Sequence, residues 1–198
     1  MGIAHIRLCL GGYRPRAIDE LKVGRAAVAL VLAEAADGIE LLLIERATRD
    51  GDPWSGHMAF PGGRRHPDDA DATATAVRET REEVGVALDV DADAIGRLDD
   101  VRAVAHRGPL DLVITPIVFA LRRPVAVHPS PREVQSAVWV PLHFLGAPGA
   151  RATYRRTGGG DALAYPCFRF QGYTIWGLTH RILDNFLDIV RDDGPVLG

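Results

Sequence analysis

Three glutamates at helical spacing are the side chains of this sequence best suited to chemistry. Glu79, Glu82 and Glu83 follow an i, i+3, i+4 pattern, so on a helix their carboxylates lie within an arc of about 100°. Like charges at these positions repel one another, and the helix dipole favours cations rather than acids near a C-terminus. A hard divalent cation with oxygen ligands reverses that penalty. The pattern therefore indicates a metal site, and a solvated Glu- and Arg-rich helix face is the alternative.

A helix over residues 70–84 is predicted to carry these acids. The residues before it supply start signals and favourable charge for its first turn, and Gly85 supplies the stop. These start signals are Pro67, Asp68, Asp69 and Asp71. The face expected to pack against a sheet, on the side opposite the acids, consists of Ala70, Ala74, Val77 and Val84.

The rest of the chain alternates between strand-like and turn-like segments. Asp37-Gly38 between two apolar runs predicts a hairpin, and the closing segment 175–190 has the spacing of an amphipathic helix. Other segments are expected as a loop over 46–56, strands over 57–60, 94–104, 110–121 and 133–140, and a hairpin tip at 158–160. This order predicts an α+β fold, an α/β/α sandwich with a mixed β-sheet between helices. One domain over 1–198 is expected, with an N-terminal extension over 1–24.

The composition of the chain argues against several classes of partner and site. A net charge of −3, from 23 basic and 26 acidic residues, gives no electrostatic footprint for nucleic acid or an anionic membrane. The longest apolar run, 26–33, has 8 residues and is too short to span a bilayer. Two cysteines, Cys9 and Cys167, are too few for a disulfide framework or a four-ligand zinc site. We therefore expect a cytoplasmic protein without nucleic-acid or membrane partners.

The sequence around the three glutamates resembles the Nudix box, which here covers about residues 63–86. The spacing from Gly63 to Arg78 is one residue longer than in the commonest box, and Asp71 stands where that box has its first glutamate. Both features are similar to the coenzyme A diphosphatase branch of the superfamily. The matching core is Arg78-Glu79-Thr80-Arg81-Glu82-Glu83-Val84-Gly85-Val86, preceded by Phe60-Pro61-Gly62-Gly63.

The resemblance continues outside the box, over most of 26–189. It includes Leu42-Leu43-Ile44-Glu45-Arg46 and Ile175-Trp176-Gly177-Leu178-Thr179. The coenzyme A branch has an arginine four residues before the glycine that matches Gly56, whereas this chain has Asp52 there. An acid at this position repels a phosphorylated ligand, and Arg49 is the nearby alternative cation.

The resemblance implies roles for individual residues. Metal ligands for Mg²⁺ or Mn²⁺ would be Gly63, Glu79, Glu82 and Glu83. Arg78 would orient a glutamate by ion pairing, and the general base would be one of the box glutamates or Glu133. The catalytic set is thus Arg78, Glu82, Glu83 and Glu133, and the substrate-binding set is Arg46, Arg49, Trp54, Gly56, Phe60 and Gly62.

The function that the resemblance implies is metal-dependent hydrolysis of a phosphoanhydride bond in a small nucleoside diphosphate-linked substrate. Coenzyme A or a derivative is the first candidate, and ADP-ribose or a nucleoside diphosphate sugar is the alternative. A non-catalytic nucleotide-binding module is a further alternative, although its best sign, loss of the box acids, is missing here. A homodimer is one expected form of the protein.

Overall fold

The computed structural model describes residues 1–20, 22–49, 54–105, 108–147, 149–156 and 163–191, with the backbone alone at 104, 105, 108–110 and 156. No helix within these ranges is both long enough and apolar enough to traverse a bilayer. The helices are α1 (Ile3–Gly12), α2 (Ala72–Val84), α3 (Leu88–Asp91), α4 (Leu142–Gly146) and α5 (Gly177–Ile189). The strands are β1 (Gly24–Ala35), β2 (Gly38–Arg46), β3 (Met58–Ala59), β4 (Gly62–Arg64), β5 (Ala92–Arg97), β6 (Val101–Ala105), β7 (Gly108–Leu121), β8 (Val134–Pro141), β9 (Arg151–Arg156), β10 (Leu163–Phe170) and β11 (Tyr173–Trp176).

Strands β1 to β8 form one mixed sheet. Its main path runs β3-β2-β1-β7-β5, with β8 paired to β2, β4 to β1 and β6 to β7. Strands β1 and β7 are parallel, from Gly24 opposite Leu112 to Leu32 opposite Ala120, and the β1–β2 hairpin is antiparallel as predicted. A second sheet has the order β11-β10-β9 and is antiparallel.

The two faces of the large sheet bury separate apolar clusters. Because side chains alternate along a strand, Leu30 in β1 packs in the cluster that contains Phe186 of α5, and Ile6 of α1 belongs to the same cluster. The next residue, Val31, packs on the opposite face in the cluster that contains Val84 of α2. Helices therefore cover both faces, and the predicted α/β/α sandwich is confirmed.

The N-terminal segment is part of the core and contains a helix that the sequence interpretation missed. Ile6 is fully buried and Leu10 nearly so. A Cβ on Gly96 of β5 would lie 2.8 Å from the Leu10 Cβ, so the glycine allows α1 to approach the sheet closely. His5 and Arg7 interrupt the apolar sequence, but Arg7 faces outward and its Nη2 lies 2.5 Å from an Asp93 carboxylate oxygen.

Two predicted elements have different boundaries in the structure. The single strand predicted over 94–104 is two strands, since Asp99 and Asp100 leave the ladder and accept backbone N–H bonds from Arg16 and Ile18, each 2.9 Å. The helix predicted from Ile175 begins at Gly177, because residues 173–176 pair with β10 instead. The predicted hairpin tip at 158–160 lies outside the described residues, and the strands on either side of it are paired.

Candidate active site

Helix α2 begins at Ala72 and ends at Val84. The Asp71 side chain caps its start by accepting a 2.8 Å hydrogen bond from the Ala74 N–H. Gly85, with φ +71°, ends the helix in the left-handed conformation, as the sequence predicted. The helix C-terminus, with its three glutamates, is thereby fixed against the sheet.

The packing face of α2 differs from the predicted one. Ala76, Thr80 and Glu83 are buried there beside Val84, whereas Ala70 is exposed. The sequence interpretation followed apolar residues, but Thr80 can be buried because its hydroxyl donates to the Ala76 carbonyl at 2.7 Å. The predicted position opposite the packing face is therefore wrong for Glu83, which is buried, whereas Glu79 is half-buried and Glu82 is exposed as predicted.

Strand β4 holds Glu83 in place. The Gly62 N–H donates a 2.8 Å hydrogen bond to Glu83 Oε2, and the Glu83 residue is only 3% exposed. Gly62 pairs with Val28 of β1 at φ +153°. A Cβ on Gly62 would lie 2.6 Å from the Val28 Cα and closer still to the Ala27 carbonyl oxygen, so a residue without a side chain is required here.

Arg78 connects two of the glutamates to a buried anchor. Its Nη1 lies 2.9 Å from Glu79 Oε1 and 3.1 Å from Glu82 Oε2. Its Nε and Nη2 each donate to Asp69 at 3.0 Å, and Nη2 also donates to the Arg64 carbonyl at 3.0 Å. The guanidinium is therefore held on both sides, and the role in orienting a glutamate that the resemblance implied for it stays a prediction.

Asp69 is a site residue whose role the sequence interpretation missed, since it was assigned to the helix start. Its carboxylate is buried and also accepts hydrogen bonds from the Thr75 hydroxyl at 3.0 Å and the His66 N–H at 2.8 Å. The hydrogen bonds from Arg78 are the main reason that the pKa of Asp69 lies far below its usual range. A fully ionised, buried carboxylate thus fixes the arginine.

Burial also perturbs the glutamates themselves. Burial raises the pKa of Glu83 to about 8, the Gly62 hydrogen bond lowers it, and the neighbouring charges of Glu79 and Glu133 raise it further. Arg46 acts on Glu83 in the opposite direction. Burial likewise raises the pKa of Glu79, against the lowering effect of its ion pair with Arg78. The carboxylates of Glu79, Glu83 and Glu133 are therefore close enough to repel one another.

The pKa of Glu83 predicts a pH dependence of stability in the metal-free protein. Between its ordinary value of 4.5 and about 8, the native state holds a proton at Glu83 that the unfolded chain has lost. The free energy of unfolding therefore falls as pH rises through this window, by up to about 1.4 kcal/mol per pH unit. Urea unfolding of metal-free wild type and Glu83→Gln from pH 5 to 9 will show the wild type losing stability relative to the variant. Parallel pH profiles for the two proteins would contradict this expectation.

The chemistry of these side chains fits a hard divalent cation, which prefers oxygen ligands. A Cβ on Gly63 would lie 2.5 Å from the Glu79 carboxylate carbon, so the missing side chain leaves room for the carboxylate against the backbone. Within the described ranges, no three His, Cys, Asp or Glu side chains are grouped as a ready cation site. Arg78 now occupies the space between Glu79 and Glu82, so a cation bound there must share these carboxylates with it.

Glu133 lies at the same end of the sheet. Its carbonyl accepts a 2.9 Å hydrogen bond from the Ala47 N–H, just beyond the last residue of β2. Its carboxylate lies 3.3 Å from Arg49 Nη2, which also donates to the Arg132 carbonyl at 2.5 Å. The structure therefore brings together Arg46, Arg49 and Glu133, three residues that the sequence placed in the site.

The remaining predicted substrate residues have different environments. Gly56 has φ +68° and donates its N–H to the Arg46 carbonyl at 3.1 Å, which turns the chain beside the site. Trp54 is half-buried, and Asp52 lies outside the described residues. Phe60 is 3% exposed within the core, so its ring has no surface for the predicted substrate contact and supports the loop instead.

The fold and this arrangement define an α/β/α sandwich domain in which the acidic end of a helix packs against a Gly-Gly strand. The NUDIX domain family model matches residues 23–157. The chain belongs to the NUDIX domain family.

Three comparisons are informative. Mouse peroxisomal coenzyme A diphosphatase is 30% identical over 150 residues, which cover 71% of this chain and 59% of the mouse protein. Human mitochondrial coenzyme A diphosphatase is 30% identical over 168 residues, which cover 83% of this chain and 69% of the human protein. The structure of a MutT/nudix family protein from Enterococcus faecalis is 16% identical, with a TM-score of 0.50 over 96% of this chain and 70% of the other, and it shares the fold. The chain spans about half to two thirds of the length of the first curated relatives that it matches.

Proposed function

We propose that this protein hydrolyses a phosphoanhydride bond in a nucleoside diphosphate-linked substrate, with coenzyme A or a derivative as the first candidate. The observation that carries the proposal is the buried carboxylate of Glu83, hydrogen-bonded to Gly62 and repelled by Glu79 and Glu133. Such crowding destabilises the domain on its own, so it indicates a role with a bound cation. The two named coenzyme A diphosphatases support this choice of substrate.

Mg²⁺ or Mn²⁺ would be held by Glu79, Glu82 and Glu83, with the Gly63 carbonyl as a further ligand. When bound, such ions neutralise diphosphate charge and lower the pKa of a bound water. Arg78, fixed by Asp69, keeps Glu79 and Glu82 in position for this role. The outer part of the site would supply the groups that contact substrate and water.

Arg46 and Arg49 would bind the substrate phosphates, and Glu133 would accept the proton of the attacking water. Glu133 Oε1 now lies 3.3 Å from Arg49 Nη2. When Arg49 turns to a phosphate, it leaves this oxygen as a proton acceptor. Attack of the water oxygen on one phosphorus breaks the bond to the bridging oxygen, so each of the two products carries one phosphate group of the former diphosphate.

Asp52 is the reason to test more than one substrate, since it replaces an arginine of the coenzyme A branch by an acid. ADP-ribose and nucleoside diphosphate sugars are therefore second candidates. A cytoplasmic location and a homodimer stay predictions, and the two named relatives are peroxisomal and mitochondrial proteins.

A substrate panel tests the proposal. The protein is incubated with Mg²⁺ or Mn²⁺ and coenzyme A, ADP-ribose, NADH or a sugar nucleotide, and the products are separated by chromatography. We expect coenzyme A to yield adenosine 3′,5′-bisphosphate and phosphopantetheine, and we expect no product after the metal is chelated. If sugar nucleotides are cut and coenzyme A is not, the substrate assignment is wrong. If a well-folded sample leaves every anhydride intact, the proposed hydrolysis is wrong.

A further inference from the structure

The small sheet presents several aromatic rings on one face. Tyr154 of β9 lies directly opposite Tyr165 of β10, and Cys167 of β10 lies opposite Trp176 of β11. Directly opposed residues of antiparallel strands share a face, and so do alternate residues of one strand. Tyr154, Tyr165 and Trp176 consequently share one face. We call these three rings and the adjoining ring of His57 the aromatic face.

Trp176 is at the centre of the aromatic face. Its ring centroid lies 4.8 Å from that of Tyr154, 5.3 Å from Tyr165 and 4.8 Å from His57. All four residues are half-buried, whereas Phe168 on the opposite face of β10 is completely buried. The rings therefore keep accessible aromatic surface, and the paired strands beneath three of them hold that surface rigid.

Backbone hydrogen bonds connect the aromatic face to the candidate active site. The His57 carbonyl accepts a 3.1 Å hydrogen bond from the Arg46 N–H, and the next residue, Ala47, donates its N–H to the Glu133 carbonyl at 2.9 Å. His57 and Gly62 are five residues apart, which a fully extended chain spans in at most roughly 18 Å. The aromatic face thus adjoins the end of the sheet that carries the charged groups.

A second hydrogen bond fixes Trp176 relative to this end. The Thr179 hydroxyl, three residues after Trp176, donates to the Met58 carbonyl at 2.8 Å, and Met58 follows His57 directly. The bond closes the start of α5 onto β3. The position of the indole relative to the glycine-rich strand is therefore set by packed elements rather than by a free loop.

We propose that the aromatic face binds the nucleobase of the substrate, with Trp176 as its main stacking partner. This inference rests on the proposed function. A nucleotide needs cationic groups at its phosphates and a flat apolar surface at its base, and the two surfaces adjoin here. Rings held by paired strands lose little freedom when a base stacks on them, which favours binding. The sequence interpretation had placed Trp54, and not Trp176, in the substrate-binding set.

Equilibrium binding of adenosine 5′-monophosphate and ribose 5-phosphate, which differ in the base, tests this inference. We expect Trp176→Ala to weaken binding of the adenosine nucleotide at least about tenfold and Trp176→Phe to weaken it less than about threefold, since a ring is kept. Neither variant should change binding of ribose 5-phosphate. Thermal unfolding checks that each variant is folded, and Tyr154→Ala, in the other edge strand of the small sheet, carries the same expectation as Trp176→Ala.

Several outcomes would overturn the assignment. The first is unchanged binding of adenosine 5′-monophosphate by both Trp176→Ala and Tyr154→Ala, and the second is a loss of ribose 5-phosphate binding as large as the loss of nucleotide binding. The third is a loss of nucleotide binding in Trp54→Ala and not in Trp176→Ala. The fourth is a wild type that binds adenosine 5′-monophosphate and ribose 5-phosphate equally well. The experiment needs no turnover, so it is separate from the test of hydrolysis. A protein that binds the base through Trp176 and cleaves nothing refutes the proposed function alone, whereas one that cleaves substrate with binding insensitive to Trp176 refutes this inference alone.

Discussion

Glu83→Gln is expected to lower turnover by at least about a hundredfold while the fold stays intact. The glutamine amide has nearly the shape of the carboxylate and its oxygen can still accept the Gly62 hydrogen bond, which is 2.8 Å long in the wild type. It lacks the negative charge that a divalent cation needs. Glu83 is buried, and the charges of Glu79 and Glu133 repel its negative charge. A neutral glutamine of nearly the same shape therefore does not disturb the packing of the metal-free protein.

The measurement compares initial rates on the best substrate of the panel, with circular dichroism to confirm folding. Glu82→Gln is expected to behave like Glu83→Gln, since both acids belong to the proposed ligand set. Glu34→Gln is the matched control, because Glu34 is exposed in β1. Near-normal turnover in both Glu82→Gln and Glu83→Gln would refute the metal assignment.

Gly62→Ala is expected to destabilise the protein by more than about 4 kcal/mol, or to prevent folding. The added Cβ would lie 2.6 Å from the Val28 Cα and closer to the Ala27 carbonyl oxygen, so two backbone segments must separate. The φ of +153° is also unfavourable for alanine. Neither strand can yield without breaking the pairing of β4 with β1.

Urea unfolding of Gly62→Ala and of Gly172→Ala separates the cost of the close backbone contact from the cost of the unfavourable φ. Gly172 has φ +89°, and a Cβ there would have no neighbour within 4 Å. Its replacement should cost only the left-handed conformation, about 1–2 kcal/mol. A similar cost for both variants would show that the backbone contact at Gly62 is unimportant.

Local patterns predicted much of this site. Arg78, Glu79, Glu82 and Glu83 are brought together by one helix, so their spacing alone implies their proximity. The Asp37-Gly38 turn and the Gly85 stop were also correct, because each depends on a backbone conformation that few residues adopt. Such features need no knowledge of the rest of the fold.

Contacts between distant segments could not be predicted in this way. Asp69 is nine residues from Arg78, and its burial depends on how the β4–α2 loop packs. No sequence pattern singled out Tyr154 and Tyr165, which pair across residues that lie outside the described part of the chain. Trp176 could not be assigned to their sheet, because its segment had the apolar spacing of a helix while β10 offered a strand partner.

The two ends of the chain have a consequence for how small a working fragment can be. The family match covers residues 23–157. Ile6 precedes this range and Phe168 and Phe186 follow it, yet all three belong to the same buried cluster. A protein trimmed to 23–157 would leave one face of its sheet open to water, with an apolar surface prone to association. Both flanking segments therefore belong in any shortened version or fusion of the domain.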